Sequence, residues 1–267
     1  MKALAASPLG FVVGIAIGAL GGGGSVITVP LLVFVVGLQP AAATTASLVI
    51  VGVASSLGAY THWRAGRVDV RQGTIFGVVG IAGSVAGSTL NRALDGDVLL
   101  SGFALLMLLA AWRILTGCPS CTATGEAEAL AGAREPSRTG PPPTRLRRMA
   151  TVAAAGTGVG FLTGLFGVGG GFVIVPALTL ALGFNMPRAV GTSLLVVVIN
   201  IVVALGARVG APVDWGVVLP FVVTATAGVL AGKRIADRIA PAVTQRWFAG
   251  LLVAMALYTG ARGLAGL

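Results

Sequence analysis

Residues 3–63 carry no charge over 61 consecutive positions, and residues 72–91, 149–187 and 189–207 are equally free of it. About 20 apolar residues at 1.5 Å rise make one membrane-crossing helix, so the pattern predicts ordinary spans at 41–61, 72–91 and 98–115. The ten-residue alternation of a membrane β-barrel is not there. Around a glycine run the first half offers only Pro8–Leu20 and Ser25–Val36, each near 20 Å as helix. The second half repeats this with Met149–Phe166 and Phe172–Leu182. Such pieces are short for an upright span, which predicts a hairpin that leaves and re-enters one face or crosses twice; a single kinked helix is the alternative. Behind Lys2 the hydrophobicity continues well beyond a short signal-peptide core, so no cleaved leader is expected.

One polar island interrupts the pattern. Residues 113–148 hold nine charges and Gly140-Pro141-Pro142-Pro143, a sequence that cannot extend a helix. It is read as a cytoplasmic, partly disordered linker between a first transmembrane repeat, 1–112, and a second, 149–267. The halves are copies. Gly18–Pro30 laid on Gly164–Pro176 matches at Gly18/Gly164, Gly21/Gly167, Gly23/Gly169, Gly24/Gly170, Val29/Val175 and Pro30/Pro176. The same offset of 146 runs on through Ser47/Ser193 and Leu48/Leu194, and after a one-residue slip through Asp69/Asp214, Gly83/Gly228 and Gly87/Gly232.

Loop charge gives the orientation of the copies. Arg64, Arg67, Asp69 and Arg71 sum to +2, whereas their counterparts Arg208 and Asp214 cancel. In the next loop Arg92, Asp95 and Asp97 give −1, against +3 for Lys233, Arg234, Asp237, Arg238 and Arg246. Because Lys and Arg favour the cytoplasmic side, a bias that swaps between copies predicts inverted repeats; parallel halves are the alternative. The expected fold is an all-α integral membrane protein of two homologous, inverted repeats. Each repeat has a Gly-broken hairpin plus three transmembrane helices, which makes eight hydrophobic segments, or ten if both hairpins cross.

Composition narrows the function. The chain has 267 residues, 10% of them charged and 56% hydrophobic, with a mean hydropathy of +0.97; a soluble domain carries about 25% charge. A soluble enzyme, a disordered chain and a secreted disulfide scaffold are excluded. The net charge of +10 lies between apolar segments without interleaved aromatics, so it is read as topology and not as nucleic-acid binding. The expected partners are the lipid bilayer, a small anion and a second copy of the chain.

Chemistry is expected at the breaks. Gly21-Gly22-Gly23-Gly24-Ser25 and Gly167-Val168-Gly169-Gly170-Gly171 make helix expensive, by about 1 kcal/mol per glycine relative to alanine. They also free backbone groups that lipid cannot satisfy. A half-helix that starts just after a break presents its positive end, and two such ends would hold an anion without a buried cation. Close helix packing is the plainer use of glycine and accounts for Gly73, Gly77, Gly80, Gly83 and Gly87. Downstream, Thr44-Thr45-Ala46-Ser47 and Gly191-Thr192-Ser193 offer hydroxyls, and Asn200 a mid-span amide. These groups either donate to the ligand or bond back to their own helix. The substrate-binding candidates are therefore Gly21, Gly23, Gly24, Ser25, Thr45, Ser47, Gly167, Gly169, Gly170, Gly171, Thr192, Ser193 and Asn200. No catalytic residue, metal or cofactor is expected.

The paired G-x-G-G-G-x₅-P segments, the T-S pairs that follow and the duplicated layout resemble the sulfite exporter TauE/SafE family of permeases, over nearly the whole chain except 113–148. That resemblance implies an inner-membrane transporter of sulfite, of sulfonates such as sulfoacetate, or of related oxyanions or carboxylates. Gly22 and Ser25 in the first copy face Val168 and Gly171 in the second, so the half-sites need not be equivalent.

The remaining signals are weaker. All eight acidic residues lie in loops or at segment ends, which leaves Asp69, Asp214 and His62 as rim candidates for a proton carrier. His62, beside Trp63, is read first as an interfacial anchor. Cys118-Pro119-Ser120-Cys121 lacks the further ligands that zinc requires. A passive anion channel and an intramembrane serine hydrolase using Ser25 and His62 are the competing functions.

Overall fold

The computed structural model describes residues 2–21, 25–91, 96–116, 145–166, 171–180, 182–206, 213–239 and 241–265. The helices among them are α1 (Lys2–Leu20), α2 (Ser25–Phe34), α3 (Pro40–Arg64), α4 (Val70–Asn91) and α5 (Gly96–Thr116). The second half gives α6 (Arg145–Phe166), α7 (Gly171–Leu180), α8 (Met186–Gly206), α9 (Trp215–Arg238) and α10 (Pro241–Ala265). Among the described residues there is no strand. In hydrocarbon a single strand would leave its amides unpaired, whereas a helix pairs them internally even where glycine lowers its propensity. Among the described residues four helices, α3, α4, α8 and α9, are long and apolar enough to cross a membrane.

Two boundaries differ from the sequence reading. The first helix begins at Lys2 and runs through Pro8 for 19 residues, about 28 Å, and α6 begins at Arg145 and has 22 residues. A proline removes one amide bond, a loss a membrane helix tolerates when its neighbours compensate. The hairpins thus have a long first arm and a short second one, since α2 and α7 have 10 residues each. Of the 113–148 linker, 113–116 close α5 and 145–148 open α6; residues 117–144, with Cys118 and Cys121, lie outside the described residues.

Glycine sets how the helices approach. A Cβ on Gly10, Gly14 or Gly18 of α1 would fall on backbone of Phe221, Ala225 or Val229 of α9, and Gly228 and Gly232 of α9 press back on Phe11 and Ile15. In the other half Gly156, Gly160 and Gly164 of α6 meet Phe76, Gly80 and Ser84 of α4, while Gly83 and Gly87 press on Thr157 and Phe161. Each contact has its counterpart at the offset seen in the sequence. Both pairs are parallel and bring backbone against backbone, the close approach that small residues permit in membranes.

The central pair runs the other way. Gly52 of α3 meets Ile201 of α8, Gly58 meets Leu194, and Gly191 meets His62, so α3 and α8 are antiparallel. Ala19 at the end of α1, His62 at the end of α3 and Ala236 at the end of α9 line one cavity with Met186 at the start of α8. Because α1 and α3 end together, α2 and residues 35–39 lead back across the bundle; a single kinked helix would put those ends apart. The same end carries Arg67, which pairs with Asp237, itself 3.3 Å from Lys233. It also gathers Arg64, Arg113, Arg145, Arg188 and Arg246, whereas Lys2 and Arg262 stand at the other end.

Candidate functional site

The first break leaves α1 through Gly21, whose φ of +74° is a left-handed conformation that favours glycine. Its neighbours belong to the other half: a Cβ there would stand 2.7 Å from Ser193 Oγ, 3.3 Å from Val190 Cα and 3.4 Å from Val175 Cγ2. Gly21 of one repeat is therefore seated on Ser193 of the other. Ser25 and Gly171 open α2 and α7, and these half-helices touch. Gly23, Gly24, Gly167, Gly169 and Gly170, together with the side chain of Ser25 and hence any pairing of Ser25 with His62, lie outside the described residues.

The hydroxyls are buried and held. Ser193 Oγ donates to Val190 O and Ser47 Oγ to Thr44 O, each at 2.8 Å. Each serine thus spends its proton on its own helix and keeps lone pairs to accept with. Thr192 Oγ1 accepts from the Asp69 amide at 3.1 Å, and Thr45 is buried. Because α3 and α8 are antiparallel, Ser193 lies level with residues near Tyr60, some 13 positions from Ser47; the two hydroxyl pairs are separated by roughly 20 Å along the axis. One small anion cannot touch both pairs at once. Asn200 falls near the crossing of α3 and α8 and is half-buried.

The acidic rim residues have structural employment. Asp69 Oδ1 caps α4 by accepting from the Gln72 amide at 3.0 Å, and its repeat equivalent Asp214 caps α9 through the Gly216 amide at 3.1 Å. Asp69 Oδ2 also accepts from Arg188 at 2.8 Å, and the Arg188 guanidinium stands 4.8 Å from the Phe184 ring centroid.

Two side chains, Arg188 and Ser55, escaped the sequence reading of the site, and the burial of a third, His62, was not foreseen. Arg188 lies in the first turn of α8 and ties that turn to the α3–α4 loop. Ser55, mid-way along α3, is fully buried with no partner for Oγ. His62 is not an interfacial anchor: it is 2% exposed while Trp63 is 57% exposed. The Gly18 carbonyl lies within reach of the imidazole, and no other protein group meets either ring nitrogen in hydrogen-bond geometry. The sequence did carry a signal for it. Ser47, Val51, Ser55, Gly58 and His62 recur at three- and four-residue steps, and all are buried, which marks them as one inward face of α3.

His62 opens on a cavity of about 30 Å³ lined also by Ala19, Arg67, Met186, Pro187, Val190, Ala236 and Thr244, room for about two water molecules. Val190 is shared with the seat of Gly21, so cavity and break are neighbours. Among the described residues no cluster of three metal-ligating side chains occurs.

Known proteins place this architecture. Two probable membrane transporter proteins of Xylella fastidiosa are similar, at 34% and 33% identity over 262 residues, 97% of this chain and 95% of theirs. The probable membrane transporter protein YdhB of Bacillus subtilis is 28% identical over 75% of each chain. No solved structure matches the chain. Residues 6–259 match the family described as sulfite exporter TauE/SafE, and with a multi-spanning helical bundle and full-length transporter relatives the chain belongs to that family.

Proposed function

We propose that this membrane transporter moves a small anion (sulfite, an organosulfonate such as sulfoacetate, or a related oxyanion or carboxylate) by alternating access around a site between its two Gly-rich breaks. The observation that carries the reading is the seating of Gly21 on Ser193 of the other half. A left-handed glycine turn against a buried hydroxyl of the other half supports a site built without lipid-facing polar groups. An anion taken from water needs several kcal/mol of compensation. One helix start at about 0.3–2 kcal/mol and several charge-assisted hydrogen bonds at about 1.5–3 kcal/mol each would supply it at either end of the path. The Thr192 hydroxyl accepts from Asp69 and keeps its proton to donate to the anion at one end. Thr45 stands at the other end and Asn200 between, and Ser193 and Ser47 would donate only by giving up the bonds to their own helices.

The antiparallel run of α3 against α8, its repeat equivalent, supports inverted repeats, since copies related by an axis along the membrane normal would run parallel. The basic residues gathered at the His62 end support a cytoplasmic assignment for that end. Single cysteines at Arg64 and Arg234 should then react with an impermeant thiol reagent from the cytoplasmic side, and ones at Gln39 and Asp214 from the opposite side. Labelling of positions 64 and 39 from one face would defeat this topology.

The functional test is a screen in reconstituted vesicles with labelled sulfite, sulfoacetate, sulfate and small carboxylates. At least one should accumulate with saturable kinetics, and the Gly24→Leu/Gly170→Leu double variant should lose that uptake while remaining inserted. Unaltered uptake by the double variant would reduce the breaks to packing devices. Currents far above transporter turnover would mark a passive channel.

A further inference from the structure

His62 is the only titratable side chain among the buried polar residues described, and an ionisable group inside a membrane bundle marks function by default. A neutral imidazole has one donor and one acceptor nitrogen, and besides the Gly18 carbonyl no protein group meets either of them. The charged groups around it are known from every packed element. Arg67 comes from the α3–α4 loop, and Lys233 and Asp237 from α9. From α1, α8 and α10 the cavity receives Ala19, Met186, Pro187, Val190 and Thr244, none of them ionisable. Arg188 of α8 is engaged by Asp69. The start of α8 contributes little to an anion. Pro187 has no N–H, the Arg188 amide donates to Asn185 Oδ1 and the Ala189 amide to the Asn185 carbonyl.

These facts set up a mutual dependence. Arg67 and Lys233 share one carboxylate, Asp237, so these three charges around the imidazole sum to one net positive charge. A proton on His62 alone would add a second cation in a poorly solvated place. An anion in the cavity removes that penalty, and the charged imidazole in turn gives the anion a second donor opposite Arg67. Each ligand therefore strengthens the other by the same factor, as linkage requires.

We propose that the His62 cavity is a joint proton-and-anion site, in which a small oxyanion held by Arg67 is bound together with one proton taken from water by the imidazole. The proposal rests on the anion-transport reading and adds its coupling ion. Anion binding is then tightest at low pH and weakens as pH rises through the imidazole titration.

The chain has one histidine, so its ring nitrogens can be observed without ambiguity. Protein labelled with 15N-histidine and purified without a histidine tag is reconstituted in liposomes, and the imidazole is titrated by solid-state NMR. The titration is run without added anion, then with sulfate and with sulfoacetate, neither of which titrates between about pH 6 and 8. The expected result is a rise of about one pH unit in the midpoint with at least one of them, a tenfold tightening of proton binding, and loss of that rise in Arg67→Gln. A wild-type midpoint unmoved by either anion overturns the proposal, and an Arg67→Gln midpoint that still rises in full overturns the assignment of the anion to Arg67. Uptake of the same two anions by the same liposomes is measured in parallel. A midpoint that moves without uptake upholds the site and fails the transport reading, whereas uptake with an unmoved midpoint fails the site alone.

Discussion

Gly160→Leu is expected to cost the protein its assembled fold, while Gly158→Leu, two positions away on the same helix, leaves it intact. A Cβ on Gly160 lands on the carbonyl of Gly80 and within 2.7 Å of its Cα, whereas one on Gly158 meets nothing within 4 Å. The obstruction at Gly160 is backbone, which cannot rotate away, so α6 and α4 must separate along their whole parallel seam. Overpacking of a tight core costs about 1–3 kcal/mol when side chains can adjust; here the cost should reach about 3 kcal/mol or more, against a total stability of about 5–15 kcal/mol. Gly80→Ala should be far milder, since its Cβ would stand 3.3 Å from the nearest atom, Gly156 O, and the equivalent place in the other half is occupied by Ala225. Thermal unfolding in detergent, read as the surviving monodisperse fraction, orders the three variants. Equal midpoints for Gly160→Leu and Gly158→Leu would show that the glycine seam does not hold the bundle.

That seam was legible before any coordinates. The glycines of 73–87 are spaced three and four apart, and the repeat offset relates 10, 14 and 18 to 156, 160 and 164, which pack in the same way on the repeat-equivalent helices. The antiparallel α3–α8 pair was legible too, through loop charge. Less legible was depth. Under an inverting relation, equivalent residues lie at mirrored depths, so only those near the axis, such as Asn200 and its counterpart Ala54, fall level with each other. Thr45 and Thr192 were both candidates for the ligand, and the antiparallel packing sends them to opposite ends. The environment of His62 was hidden for another reason: Arg67, Pro187, Ala236 and Thr244 come from four separate parts of the chain, and no spacing rule links them. Pro8 misled because the rule that proline stops a helix holds in water more strictly than in lipid.

Gly21→Ala is expected to reduce anion uptake at least tenfold, and Gly37→Ala to leave it close to wild type. The comparison isolates the site from the backbone. Both glycines have the same left-handed conformation, φ +74° and +76°, and alanine costs each about 1–2 kcal/mol of strain. Their surroundings differ: a methyl at Gly37 meets nothing within 4 Å, whereas one at Gly21 comes within 2.7 Å of Ser193 Oγ. Ser193 is buried, with its proton committed to Val190 O, so the hydroxyl cannot swing clear without losing that bond or crowding Val175. The strain terms cancel in the comparison, and what remains is the hydroxyl seat between the two halves. Uptake is measured in vesicles with the anion that wild type accumulates best, at matched amounts of inserted protein. Equal losses in the two variants would assign the effect to backbone strain, and equal retention would remove Gly21 and Ser193 from the path of the anion.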